Sequence, residues 1–90
     1  VDTKILYLRD ISSFTDIMII TSGTSSRHMS AISDKIQENL KEKSIAIISV
    51  EGKGSSEWVL LDLGDIVVNI MSKSARELYD LESLWDPDLL

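Results

Sequence analysis

Residues 58–71 read WVLLDLGDIVVNIM, two apolar runs parted by Gly64-Asp65. A glycine-bearing connection this short between strand-like runs is the signal of an antiparallel hairpin. If the turn pairs Leu63 with Ile66, then Leu61 lies opposite Val68 and Val59 opposite Ile70. Successive side chains of a strand point to opposite faces, so all of these share one face, which is the expected core. The other face carries Trp58, Leu60, Asp62, Val67, Asn69 and Met71, a mixed surface with a large aromatic at one end. Sheets of α/β domains are often covered on both sides, so this second face is either roofed by another helix or open to a partner.

Upstream of the hairpin, Ile5 to Leu8 reads as a short strand and Ser12-Ser13 begins a connection. Asp16 to Thr21 holds the continuous apolar run Ile17-Met18-Ile19-Ile20 expected of a strand near the sheet centre, covered on both faces. From Ser26 to about Lys43, the residues Met29, Ile32, Ile36 and Leu40 recur at intervals of three and four, with Arg27, Asp34, Glu38 and Lys41 off that stripe. This spacing predicts an amphipathic helix. Ile45 to Val50 reads as a strand, completing a βαβ unit whose strands should be parallel and whose crossover should be right-handed. Glu51 to Glu57 is a Gly/Ser-bearing loop. Downstream, Ser74 to Trp85 predicts a closing helix with Leu78, Leu81 and Trp85 on its buried stripe, Tyr79 and Leu84 on its flanks, and Asp86-Pro87 as its stop. The fold class expected is α/β: a single small domain over residues 1–90, with a mixed sheet of about five strands flanked by helices.

The composition narrows what such a domain does. Ninety residues, 43% hydrophobic and 27% charged, suit one domain with a modest core. No run of eighteen apolar residues and no basic leader is present, so no membrane partner is expected and the cytoplasm is the expected location. With no cysteine and a single histidine, disulfide, thiolate and zinc chemistry are disfavoured, and no metal or cofactor is expected. Fifteen acidic against nine basic residues give a net charge of −6. That field repels nucleic-acid phosphates and attracts basic proteins, although moderate acidity also serves solubility alone.

Residues 21–29, TSGTSSRHM, invite a catalytic reading that does not hold. A phosphate loop requires GxxxxGK[ST], and Gly23 is followed by no second glycine or lysine at that spacing. A nucleotidyltransferase requires clustered carboxylates near the helix start to hold magnesium, and the nearest pair, Asp62 and Asp65, is split by a turn. A serine paired with His28 two or three residues away at a helix start rarely forms a triad, and the GxSxG elbow is absent. The remaining reading is structural: Ser25 or Ser26 caps the helix, and Gly23 permits a tight exit from the strand.

The succession SSFTD (12–16), GTSSRH (23–28), VEG (50–52), WVLLDLGD (58–65) and ARELYDLESLW (75–85) closely resembles the ribosomal silencing factor family, also called Iojap-like, across essentially the whole chain. The resemblance implies a nucleotidyltransferase-like topology without catalytic residues. It also implies binding to ribosomal protein fourteen of the large ribosomal subunit, which blocks joining of the small subunit and represses translation. Large-subunit assembly by the same contact, or a retained nucleotidyltransferase activity, are the competing functions. Family members usually carry an additional helix before the first strand, so a domain lacking that helix is expected here, and Asn69 stands where histidine is frequent. Carried over by position, the pattern implicates Trp58 and Tyr79 as surface aromatics, with Asp62, Asp65 and Glu82 as nearby acids. Arg27 and His28 are further candidate contacts at the helix start. Interfaces centre on aromatics with charges at the rim, which gives this grouping a physical reason. The expected state is a monomer or weak homodimer with little direct RNA binding.

Overall fold

The computed structural model describes residues 3–8 and 15–81. Its hairpin joins β4 (Trp58–Asp62) to β5 (Ile66–Ser72) in the expected register, with Val59 opposite Ile70 and Leu61 opposite Val68. Leu63 N donates to the Ile66 carbonyl at 2.9 Å. The turn is possible because Gly64 adopts φ 91° and the Asp62 carboxylate accepts from Gly64 N at 2.9 Å. On its other edge β5 pairs in parallel with β2 (Ile17–Gly23), from Ile17 opposite Ile66 to Gly23 opposite Ser72.

Four further elements complete the described domain. An antiparallel β1 (Lys4–Tyr7) lies beside β2, and β3 (Ser49–Glu51) lies antiparallel beside β4, so the sheet order is β1-β2-β5-β4-β3. The helix α1 (Ser26–Glu42) connects β2 to β3, which run in the same direction as expected, but the hairpin strands β5 and β4 lie between them. A second helix, α2 (Lys73–Tyr79), follows β5 directly.

The alternation along the strands divides the core into two layers. Met29 of α1 packs with Val59, Leu61, Val68 and Ile70 on one face, and Ile32, Ile36, Leu63 and Ile66 border that layer. On the opposite face Leu8, Met18, Ile20 and Met71 pack with Ala75 of α2, and Leu6, Trp58 and Leu81 lie against them. The second face is therefore roofed over its central strands. Trp58 is half-buried, so of the two alternatives left open for this face the roofed one holds over the central strands while the indole keeps part of its surface accessible.

Two element boundaries also differ from expectation. In place of the strand expected over Ile45–Val50 only Ser49–Glu51 is a strand, because β4 ends at Asp62, whose carbonyl accepts one last bond from Ile48 N at 2.8 Å. Ile45 and Ile48 are accordingly exposed. The helix expected over Ser74–Trp85 is interrupted after Tyr79: Asp80 takes the left-handed conformation at φ 46° and its N–H donates to the Arg76 carbonyl. The buried residue of α2 is Ala75, while Leu78, expected in the core, is 77% exposed. Leu84, Trp85 and the Asp86-Pro87 stop lie outside the described residues.

The start of α1 shows what the 21–29 stretch does locally. Ser25 is the N-cap, and its hydroxyl accepts from His28 N at 3.1 Å. Gly23 leaves the strand hard against Met29, whose Cγ would collide with any Cβ placed there. Replacing the cap by Ser25→Ala should cost about 1 kcal/mol. A shift in the urea midpoint at unchanged slope would measure it, and an unshifted midpoint would show that the cap is dispensable.

Candidate partner-docking surface

Trp58 is held by the loop that precedes it. Gly52 carbonyl accepts from Ser55 N at 2.8 Å, and the Ser55 hydroxyl accepts from both Glu57 N and Trp58 N at 3.0 and 3.2 Å. Glu57 carbonyl then accepts from Ser72 N at 2.9 Å, which ties the loop to the end of β5. The indole Nε1 donates to Asn69 Oδ1 at 2.8 Å. An indole N–H only donates, so this bond fixes which way round the Asn69 amide sits. Asn69 is 1% exposed, and its Nδ2 has no hydrogen-bond partner. Burying that donor has a free-energy cost, and the cost goes with a Trp58 ring held in one orientation.

From the helix side Tyr79 meets Trp58 with ring centroids 5.1 Å apart and planes tilted by 45°. Such tilted pairs contribute about 0.5–1.5 kcal/mol beyond the area they bury. Tyr79 remains 50% exposed and neighbours the exposed Leu78, so the pair ends in an accessible apolar patch.

The other sequence-predicted residues are placed elsewhere. Asp62 builds the hairpin turn at the far end of β4, roughly 13 Å along the strand from Trp58 by strand geometry. Asp65 lies at that same end with its side chain exposed, while its carbonyl accepts from Asp16 N, Ile17 N and the Thr15 hydroxyl. Arg27 and His28 sit at the start of α1, the helix on the opposite sheet face from α2. His28 Nδ1 accepts from Thr24 N at 2.9 Å and lies 3.1 Å from the Thr24 hydroxyl, so its ring is engaged in the loop before α1. Glu82 is outside the described residues. The structure thus brings Trp58 and Tyr79 together but leaves Asp62, Asp65, Arg27 and His28 apart from them. Sequence reasoning missed Asn69 as the support of Trp58, although alternation places both on one face at diagonal positions of the hairpin.

A second concavity lies at the carboxyl ends of the parallel strands β2 and β5. It has a volume of about 690 Å³ and is lined by Ser22, Gly23, Thr24, Ser72, Lys73 and Glu77 among others. Arg76 donates to the Ser22 hydroxyl there at 2.8 Å. Among the described residues no group of three or more metal-competent side chains is gathered, and Asp62 and Asp65 lie at the other end of the sheet. No helix among the described residues is long and apolar enough to cross a membrane.

A five-stranded mixed sheet with a helix on each face and an aromatic pair with an exposed edge at one corner defines a small α/β domain. The family model described as "Ribosomal silencing factor during starvation" matches residues 1–88, and the chain belongs to this family. It is 45% identical over 78 residues to the ribosomal silencing factor RsfS of Haemophilus influenzae, covering 87% of this chain and 76% of that protein. A crystal structure of a Chromobacterium violaceum protein superposes with a TM-score of 0.90 at 39% identity, covering 93% of this chain and 70% of that one. The mouse protein named mitochondrial assembly of ribosomal large subunit protein 1 is 39% identical over 75 residues, 80% of this chain and 33% of its own length.

Proposed function

We propose that this chain is a translation repressor that docks on ribosomal protein fourteen of the large ribosomal subunit and blocks association with the small subunit. The observation that carries the reading is the family match across residues 1–88, within which Trp58 and Tyr79 form one ring pair with an exposed edge. Aromatics of this kind supply contact area at the centre of tight interfaces, and an acidic chain of net charge −6 is matched to a basic ribosomal protein. The mechanism is occlusion: a bound domain occupies the subunit-joining face, and no bond is made or broken.

Sedimentation with purified subunits tests this directly. The chain should pellet with the large subunit, reduce the joined-ribosome peak when small subunits are added, and crosslink to ribosomal protein fourteen. Binding should weaken as salt rises, and affinity for protein-free ribosomal RNA should be negligible. A protein-free RNA fragment that binds as well as whole subunits would overturn the reading. The name of the mouse relative favours a second reading, large-subunit assembly through the same contact. Unchanged joining of mature subunits, together with accumulation of immature large subunits in cells lacking the protein, would select it.

A further inference from the structure

The edge strand β3 ends at Glu51, directly opposite Leu60, and Trp58 precedes Leu60 by two positions on β4. Strand alternation therefore sets Glu51, Leu60 and Trp58 on one face of the sheet. With Gly52 they line an open notch of about 320 Å³. Gly52 adopts φ 76°, and any Cβ there would run into the Trp58 carbonyl oxygen, so a glycine is what lets the end of β3 close against Trp58. The walls differ in kind: an exposed carboxylate, an aliphatic side chain, and an indole whose orientation is fixed through Asn69.

We infer that this notch receives an arginine side chain of the basic protein partner, a reading that rests on the docking function proposed above. A guanidinium is planar and always charged. It stacks on an indole face, presents a two-pronged donor edge to a carboxylate, and lies with its methylene stem along an aliphatic neighbour. Trp58, Glu51 and Leu60 supply these three complements. The surroundings favour the same sign, since the 51–57 stretch carries Glu51 and Glu57 against Lys53 within a chain of net charge −6. A lysine would satisfy the charge but neither the stacking nor the two-pronged contact. An anionic ligand meets Glu51 at the notch itself.

The test compares Glu51→Gln with Glu57→Gln in large-subunit binding, using the full chain at low and at physiological salt. Both residues are exposed, so neither substitution should lower the melting temperature. Glu51→Gln is expected to weaken binding roughly tenfold and to flatten its salt dependence, while Glu57→Gln stays within about twofold of wild type. In the purified partner, arginine-to-lysine changes at its exposed arginines should include one that weakens wild type roughly tenfold but leaves Glu51→Gln unaffected. Equal losses for the two glutamine variants would replace the notch with a diffuse field and overturn the proposal. So would wild-type affinity in Glu51→Gln, and if Tyr79→Ala still lost binding the docking function itself would stand. A wild-type chain that fails to bind large subunits at all would remove both.

Discussion

Leu61→Ala should lower the stability of the domain by about 2–5 kcal/mol, through lost burial and the cavity left behind. Leu61 of β4 is fully buried, paired with Val68 and packed in the layer that Met29 of α1 closes. Small domains have about 5–15 kcal/mol in all, so this one side chain carries a large share of the total. Urea denaturation should show the midpoint falling with the slope unchanged, because the folded and unfolded surfaces stay nearly the same. Leu78→Ala is the internal control: its side chain is 77% exposed, and its loss should change stability by no more than about 0.5 kcal/mol. A Leu61→Ala loss below about 1 kcal/mol would mean that the layer between α1 and the sheet is not the main core.

That Leu61 could be chosen from sequence reflects how strongly the hairpin is specified. A tight turn at Gly64 fixes the register, and one residue of slip would turn Val59, Leu61, Val68 and Ile70 out of the core together. Helix α1 was legible for a related reason, since the period from Met29 to Leu40 holds over about three turns and the helix begins at a capping serine. The errors fall where local pattern and tertiary opportunity part. Ile45–Ile48 is apolar enough for a strand, but a strand exists only where a neighbour offers a ladder, and β4 ends at Asp62. Leu78 and Leu81 have helical spacing, yet the helix is broken between them at Asp80, so Leu81 packs against the core as expected while Leu78 is left exposed. The candidate docking surface was legible as a pair of residue types and not as a place. The family pattern nominated Trp58 and Tyr79, but their meeting depends on α2 folding back onto the sheet directly after Ser72, a tertiary event with no local signature. The acids that the family pattern grouped with them, Asp62 and Asp65, lie at the hairpin turn, at the opposite end of β4 from Trp58.

Trp58→Ala should reduce both stability and binding, and the two losses can be separated. The indole lies half-buried against the layer formed by Met18, Ile20 and Met71, and its N–H satisfies Asn69. Removing it leaves the buried Asn69 Oδ1 unpaired beside an Nδ2 that already has no partner, so about 3 kcal/mol of destabilisation is expected, the lower end for a large aromatic because part of the ring was already exposed. Trp58→Phe keeps much of the ring but not the donor, and should recover most of the packing while leaving Asn69 Oδ1 unpaired. Tyr79→Ala isolates the interface: the ring is 50% exposed, and its truncation should cost only about 1 kcal/mol of stability, chiefly the ring contact with Trp58. If the pair is the anchor, Tyr79→Ala should nevertheless weaken large-subunit binding by about 2 kcal/mol, roughly thirtyfold, in a protein that is still folded. The double variant then measures whether the rings act as one unit. Residues in contact at a shared site lose less together than the sum of their separate losses, because each substitution already removes part of what the other contributes. Binding measured on the folded fraction of all four proteins gives that cycle. Strict additivity would place Trp58 and Tyr79 in separate contacts, and wild-type affinity in Tyr79→Ala would remove the aromatic pair from the interface.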